Sequence, residues 1–118
     1  MKLCVNMFMG SVMSSLSESL VLAEKCEAIS PTELVDVLMS GALSSPIVNA
    51  KGKSVNARNF TSNFPLKHQQ KDMKLAIDLA ERNGLDLKMA KASNQLFENQ
   101  LEQSGDDDMC SVVKNYLD

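Results

Sequence analysis

The first 27 residues constrain the fold more than any other part of the chain. Apolar side chains recur through residues 3–13 and again at 20–23, a pattern that predicts one long helix. In the first half of this segment the apolar side chains spread around the whole helical wheel, which implies burial on several sides. A helix of this kind needs other helices, or other copies of the chain, packed around it.

The same segment could also serve as a secretory signal peptide, because Lys2 precedes an apolar run. Asn6 interrupts that run, no small-x-small cleavage site follows, and the apolar pattern resumes at residues 20–23. We therefore favour a helix of the folded domain. No stretch of about 20 uninterrupted apolar residues occurs, so the sequence predicts no membrane-spanning helix and no membrane partner.

Start and stop signals for further helices follow along the chain. Ser30 and Glu33 fit a capping box around Pro31, and Gly41 supplies a stop. Four more helices are predicted, at about 46–57, 66–83 and 88–103 and after the acidic run 106–108. No strand-period alternation extends over four residues. The predicted fold class is all-α, a compact bundle of about six helices with a long, largely buried first helix.

The charge and composition of the chain argue against several classes of partner and binding site. The net charge of −3 and the isoelectric point of about 5.1 give no global attraction to nucleic acid or anionic membranes. Cys4, Cys26 and Cys110 form no C-x-x-C pair, which favours reduced thiols in a reducing, cytoplasmic compartment. With a single histidine and no cysteine pair, we expect no metal. No phosphate-binding glycine loop is present either.

Three lysines lie at the amino end of the helix predicted at 66–83. Lys67, Lys71 and Lys74 share one flank, although cations are favoured at the opposite end of a helix. One interpretation is a solvated face whose lysine stems cover apolar surface. The other is an anion or cofactor site. His68 and Asp72 are four residues apart, and a surface pair is favoured over a catalytic dyad.

Lys2 and Asn6 are also four residues apart and share one face of the first helix. Two interpretations stay open. Lys2 could be a frayed terminal residue and Asn6 a polar interruption. Alternatively, the pair could be a lysine acid and an amide orienter beside a narrow apolar cleft.

Three segments resemble the β-hydroxyacid dehydrogenase (3-hydroxyisobutyrate dehydrogenase-like) family. "KLCVNMFMGS" resembles the start of that family's long interdomain helix, and "FPLKHQQKDMKLA" resembles its other signature segment. "SGDDDMCSVVKNYL" is similar to the carboxyl end of one group in it, the glyoxylate/succinic semialdehyde reductases and their nuclear homologue N-PAC. "KCEAIS" departs from the family's usual turn and is one residue longer.

The resemblance implies an architecture and roles for five residues. In the family, a Rossmann domain precedes a helical domain like that of 6-phosphogluconate dehydrogenase. Residues 1–118 would then be the helical substrate-binding and dimerisation domain, with the dinucleotide-binding domain absent. By resemblance, Lys2 would be the general acid and Asn6 would orient the substrate. Lys71 would reach the cofactor, and Phe64 and Asp72 would line the substrate end.

The implied function is that of a domain in an NAD(P)-dependent reductase of small aldehydes or 2-oxo acids, using NADPH or NADH. The chain alone would be inactive, and it would pair with the Rossmann domain, with a small carbonyl substrate and with itself, as a homodimer or larger homo-oligomer. The alternative is a non-catalytic dimerisation module of a chromatin-associated, N-PAC-like protein. Only that alternative implies a nuclear location and a nucleic-acid or nucleosome partner.

Overall fold

The computed structural model describes residues 1–27 and 29–118 and contains five α-helices and one 3₁₀ helix within them. The α-helices are α1 (Lys2–Cys26), α2 (Pro31–Met39), α3 (Pro46–Asn56), α4 (Leu66–Arg82) and α5 (Lys88–Ser104), and the 3₁₀ helix covers Met109–Tyr116. The only strand-like pairing in the described residues is one isolated bridge between Pro65 and Asp108. The all-α fold class with six helices is confirmed. The longer turn predicted at 25–30 includes Ala28, which lies outside the described residues.

The helix boundaries follow the capping chemistry of the sequence. The Glu33 backbone N–H donates to Ser30 Oγ at 3.1 Å, and the Ser30 N–H donates to Glu33 Oε2 at 2.9 Å, so the predicted capping box forms. Ser45 caps α3 in the same way by accepting from the Val48 N–H. After α4, Gly84 adopts a φ of +74°, which a residue without a side chain tolerates.

The amino end of α4 is covered by a turn of the chain. Pro65 is the N-cap of this helix. The N–H groups of Leu66 and Lys67 donate to the carbonyls of Asp107 and Gly105, at 2.8 and 3.0 Å. Helix N–H groups that have no partner inside the helix are therefore satisfied here by backbone. This end of α4 is closed to an external anion.

Helix α1 is central, since it packs against every other helix. Its buried residues are concentrated along its middle: Gly10, Met13, Ser14, Leu16, Ser17 and Leu20. They join a core formed mainly by Leu66, Met73, Phe97, Met109, Val112 and Val113. Small residues on α1 let the neighbouring helices approach closely.

The burial predicted for the amino-terminal half of α1 is only partly provided by this chain. Val5 and Phe8 are exposed, with 69% of Phe8 accessible to solvent. The other helices cover one side of this half and leave the opposite side open. Among the described residues, no helix is long and apolar enough to span a membrane.

Candidate functional site

The amino end of α1 meets the middle of α4 through three polar side chains. Asn6 Nδ2 donates to Asp72 Oδ2 at 2.7 Å, and Lys2 Nζ lies 4.0 Å from the same oxygen. The Asp72 side chain is only 4% exposed, whereas the Lys2 side chain is 76% exposed. The buried Asp72 carboxylate thus accepts from the Asn6 amide on one side and faces an exposed ammonium on the other. We call Lys2, Asn6 and Asp72 the polar cluster.

Gln69 supports this cluster through a hydrogen bond to the backbone of Asn6. It is fully buried, and its Nε2 donates to the Asn6 carbonyl at 2.7 Å. Gly10 allows this contact, since a Cβ there would lie 2.5 Å from Gln69 Nε2 and from Met73 Sδ. The sequence reasoning did not select Gln69. Its place three residues before Asp72, on the same helix face, is the signal that could have identified it.

The structure overturns the expected pairing of His68 with Asp72. Asp72 turns into the interface with α1, where its carboxylate accepts from Asn6. His68 is exposed, and its ring lies beside Phe64 with 6.4 Å between the ring centroids. The backbone of α4 therefore directs these two side chains to different surroundings. They form neither a surface pair nor a catalytic dyad.

The three lysines that share one flank of α4 differ in their ion pairing. Lys67 pairs with Asp106 at 2.6 Å, and Lys74 pairs with Asp78. Lys71 is exposed and forms no ion pair with any of the described residues. The solvated-face interpretation fits Lys67 and Lys74. Lys71 is the lysine of this group that remains available to an external anion.

Phe64 lies apart from the polar cluster, just before the first turn of α4. Its side chain is half-buried and its backbone is held at both ends. The Phe64 N–H donates to Asp108 Oδ2 at 3.2 Å, and its carbonyl accepts from the Met109 N–H at 2.8 Å. The structure thus brings Lys2, Asn6 and Asp72 together and places Phe64 about two helical turns from them along α4.

Asp108 is a second buried carboxylate that the sequence reasoning did not identify beyond its place in an acidic run. Its carboxylate accepts from Lys51 Nζ at 2.8 and 2.9 Å and from the Asn63, Phe64 and Cys110 N–H groups. Burial opposes ionisation of this group, but these donors prevail and lower its pKa to about 2. In contrast, burial and the adjacent Asp108 carboxylate raise the pKa of the Cys110 thiol to about 12.

An apolar groove opens on the exposed side of α1. It has a volume of about 900 Å³ and is bounded by α1, by the segment 42–48 and by residues 86–90. Phe8, Leu43 and Met89 line it and are all largely exposed. Cys4 and Cys26 are exposed free thiols, and Cys110 is a buried one. Across residues 1–27 and 29–118, no three histidine, cysteine or acidic side chains are grouped to hold a metal ion.

Solved structures share this fold. A 3-hydroxyisobutyrate dehydrogenase from Salmonella typhimurium superimposes with a TM-score of 0.89 and 21% identity, over 97% of this chain and 40% of that one. The Mycobacterium tuberculosis 3-hydroxyisobutyrate dehydrogenase, in a structure with L-serine, gives 0.85 and 21%, over 99% of this chain and 42% of that one. At this identity the likeness establishes the fold.

Curated relatives share a higher sequence identity with this chain than these two structures do. Glyoxylate/succinic semialdehyde reductase 1 of Arabidopsis thaliana is 44% identical over 115 residues, which are 97% of this chain and 39% of the relative. The cytokine-like nuclear factor N-PAC of Homo sapiens is 37% identical over 119 residues, which are 99% of this chain and 21% of the relative. The chain thus spans about two fifths or less of the curated relatives it matches.

One family model matches residues 1–116, nearly the entire chain. It describes the NAD-binding region of NADP-dependent 3-hydroxyisobutyrate dehydrogenase. The six helices, the superposition on solved dehydrogenases and the reductase relatives agree with that match. The chain therefore belongs to this 3-hydroxyisobutyrate dehydrogenase family, as a helical domain related to the glyoxylate/succinic semialdehyde reductases and to N-PAC.

Proposed function

We propose that this chain is the helical substrate-binding and dimerisation domain of an NAD(P)-dependent reductase of small aldehydes or 2-oxo acids. The glyoxylate or succinic semialdehyde type is favoured by the 44% identity to the Arabidopsis reductase. The observation that carries the proposal is the polar cluster. A lysine ammonium, an amide and a buried carboxylate converge there from two helices, with 4.0 and 2.7 Å to the shared Asp72 oxygen.

Lys2 is proposed as the general acid. Reduction of a carbonyl leaves negative charge on its oxygen, and a nearby ammonium both stabilises that charge and donates the proton. The buried Asp72 carboxylate attracts the ammonium and limits the directions in which the Lys2 side chain extends. Asn6 is held by the same carboxylate, so its amide is oriented before a substrate binds. Asp72 and Phe64 are proposed to line the substrate end.

The cofactor would be held partly by this chain and partly by a dinucleotide-binding domain outside it. When bound, a reduced nicotinamide cofactor supplies the hydride for carbonyl reduction. The exposed, unpaired Lys71 fits a contact to this anionic molecule, since Lys67 and Lys74 are already neutralised. The chain offers no basis for choosing NADPH over NADH, because the ribose-contacting residue belongs to the dinucleotide-binding domain.

Exposure of Lys2 supports the need for that second domain. A side chain that is 76% exposed faces bulk water, which weakens its electrostatic effect on a substrate oxygen. Covering the polar cluster with another domain would exclude water and strengthen that effect. The chain alone is therefore expected to be inactive.

A homodimer or higher homo-oligomer is part of the same proposal. The apolar groove beside α1 exposes Phe8, Leu43 and Met89, and monomeric proteins rarely leave large contiguous apolar patches in water. A second copy related by two-fold symmetry is the commonest way to cover such a surface. The first helix would then lie at or near the subunit contact.

A non-catalytic association module is the second candidate, because N-PAC matches 99% of this chain at 37% identity. In that case the helical fold would be retained for association in a nuclear, chromatin-associated protein, and Lys2 would have no chemical role. The first candidate predicts a cytoplasmic enzyme. The two candidates differ in whether substitution of Lys2 changes turnover.

The test is a two-domain protein in which this chain replaces the matching segment of Arabidopsis glyoxylate/succinic semialdehyde reductase 1. It should reduce glyoxylate or succinic semialdehyde with NADPH or NADH. Lys2→Met should lower kcat by about 10²–10⁴-fold with little change in cofactor affinity. Lys53→Met, at an exposed lysine on α3, is the matched control and should retain turnover. An inactive unsubstituted protein, or full turnover without Lys2, would contradict the reductase proposal.

A further inference from the structure

Lys51 and Asp108 form a buried ion pair that belongs to neither the polar cluster nor the groove. We propose that this pair is a positioning device that holds Phe64 and the amino end of α4 at the substrate end of the site. This inference rests on the proposed function, because Phe64 is placed at the substrate end only there. It adds Lys51 and Asp108 to the residues on which the reaction depends, although neither would touch the reacting atoms.

The pair is well shielded. The Lys51 side chain is 12% exposed and that of Asp108 is 2% exposed, with 2.8 and 2.9 Å from Nζ to the two carboxylate oxygens. Lys51 comes from α3, whereas Asp108 precedes the 3₁₀ helix and caps it through the Cys110 N–H. The ion pair therefore ties together two parts of the chain that are 57 residues apart.

The same carboxylate also binds the segment that carries Phe64. Asp108 Oδ2 accepts from the N–H of Asn63 at 3.0 Å and of Phe64 at 3.2 Å. Immediately beside these bonds, the Asp108 N–H donates to the Phe60 carbonyl and the Met109 N–H donates to the Phe64 carbonyl. The Phe64 backbone is thus fixed through both its N–H and its carbonyl group. It cannot shift without breaking contacts to residues 108 and 109.

Stability alone does not account for a charged pair at this place. Removing two charges from water is costly, and an apolar pair of similar volume is often as stable or more so. An apolar pair would, however, supply no acceptor for the Asn63 and Phe64 N–H groups. The Asp108 carboxylate supplies a hydrogen-bond acceptor at a fixed position for these N–H groups, and Lys51 keeps that carboxylate ionised and oriented. The geometry is that of a support for a precisely placed side chain.

The first measurement uses the chain itself. Amide hydrogen exchange by NMR should show that Asp108→Asn accelerates exchange at Asn63 and Phe64 by at least about tenfold, because their charged acceptor is lost. Leu20→Ala is the control, since Leu20 is a buried apolar core residue of α1 that makes no hydrogen bond or ion pair with Lys51 or Asp108. It should destabilise the chain without a selective effect at those two amides. Unchanged exchange at Asn63 and Phe64 would overturn the inference.

The second measurement uses the two-domain protein described above. Asp108→Asn and Lys51→Met should each raise KM for the carbonyl substrate by about 10- to 100-fold, as expected for a displaced contact. The NADPH dissociation constant should stay within about twofold, because Lys71 lies in the second turn of α4, past the Leu66 and Lys67 N–H groups that residues 105 and 107 hold. Lys51→Arg keeps the charge and should restore most of the substrate affinity. Leu20→Ala, compared at a temperature where it is equally folded, should leave KM unchanged.

The outcomes separate the two proposals. An active unsubstituted protein whose KM does not respond to either substitution would overturn the positioning role and leave the reductase function standing. A KM increase of the same size in Leu20→Ala would also overturn it, since the effect would then reflect general destabilisation. An unsubstituted two-domain protein without activity would overturn the proposed function, and the positioning role would be overturned with it.

Discussion

Asn6 donates a 2.7 Å hydrogen bond to the buried carboxylate of Asp72, across a sequence separation of 66 residues. This bond and the Gln69 bond to the Asn6 carbonyl join the two helices that carry the proposed chemistry. Hydrogen bonds to a charged group contribute more than neutral ones, and leaving a buried carboxylate without its donor is costly. The bond is therefore expected to contribute measurably to folding as well as to the site.

We predict that Asn6→Ala lowers the free energy of unfolding by about 1.5–3 kcal/mol. A double-mutant cycle with Asp72→Ala should give a coupling energy of about 1–2 kcal/mol, measured by urea unfolding. Gln95→Ala removes a comparable amide bond to Asn99 on the exposed face of α5 and should change the unfolding free energy by less than about 0.5 kcal/mol. Strict additivity of Asn6→Ala and Asp72→Ala would contradict the expectation.

Gly10→Ala tests the close approach of α1 and α4. An added Cβ would lie 2.5 Å from Gln69 Nε2 and from Met73 Sδ, and both of those side chains are fully buried. Alanine favours the helix by up to about 1 kcal/mol, but overpacking costs about 1–3 kcal/mol, so a net loss of about 1 kcal/mol is expected.

Thermal and urea unfolding measure this loss against a matched control. At Gly41 the nearest atom to an added Cβ is 4.0 Å away, and Gly41→Ala should be nearly neutral. A Gly10→Ala protein as stable as the parent would show that Gln69 and Met73 can move without cost. In that case Gln69 would not be a rigid support for Asn6.

Much of the fold could be predicted from local sequence signals. Capping by Ser30 and Glu33, the stop at Asn83 and the acidic start of the last helix all depend on residues within one helical turn of each other. On α5, apolar character predicts that Ala92, Leu96 and Phe97 face inward. Phe97 is buried and Leu96 is half-buried, but Ala92 is exposed, and the polar side chains of Ser93 and Asn94 are buried instead.

The candidate site shows why local signals were insufficient. Sequence spacing placed Asp72 opposite the lysine flank and suggested a pair with His68, because a helical wheel contains only neighbours on one helix. The true partner of Asp72 is 66 residues away. Likewise, nothing near Lys51 in the sequence indicates that its ammonium reaches Asp108, 57 residues later. Helical spacing pairs Lys2 with Asn6, but only the family resemblance adds Asp72 to them.

Asp108 should make the chain sensitive to acid. Its folded-state pKa of about 2 lies below its ordinary value, so the unfolded chain binds the proton first as pH falls. The ionised Asp108 carboxylate therefore adds roughly 2 kcal/mol to the free energy of unfolding. This stabilisation is present above about pH 4 and is lost as pH falls toward 2. Urea unfolding at pH 5 and pH 2 measures it.

The Asp108→Asn variant lacks this titration. Between pH 5 and pH 2, its free energy of unfolding should therefore fall by about 2 kcal/mol less than that of the parent. Asp36→Asn, at an exposed carboxylate on α2, serves as the control and should follow the parent. Parallel pH profiles for the parent and Asp108→Asn would refute the assignment.

Tyr116 offers an optical probe, because the chain has one tyrosine and no tryptophan. Burial and a 2.6 Å hydrogen bond to Glu18 raise the pKa of this phenol to about 12. The folded chain should therefore keep the phenol proton above pH 10, where the unfolded chain loses it, and stability should fall as pH rises through that range.

Near-ultraviolet absorbance after a rapid alkaline jump, before unfolding, reports phenolate formation in the folded chain. The midpoint should lie well above that of the urea-unfolded chain, and Glu18→Gln should lower it by removing the negative neighbour. Coincident midpoints for the folded and unfolded chains would show that the Tyr116–Glu18 contact does not persist in solution.

The apolar groove beside α1 is expected to make the chain self-associate. Sedimentation equilibrium at micromolar concentration should give about twice the monomer mass of 12.9 kDa, because a second copy buries the exposed apolar side of the first helix. Phe8 lines the groove and Leu22 does not, yet both lie on α1 and are 69% and 65% exposed. Phe8→Asp should therefore produce a monomer, since a charge buried at an interface without a partner is costly, whereas Leu22→Asp should remain a dimer. Equal effects of the two substitutions would place the contact elsewhere on the surface. A parent chain that sediments as a 12.9 kDa monomer and binds no hydrophobic dye would show that the groove needs no second copy.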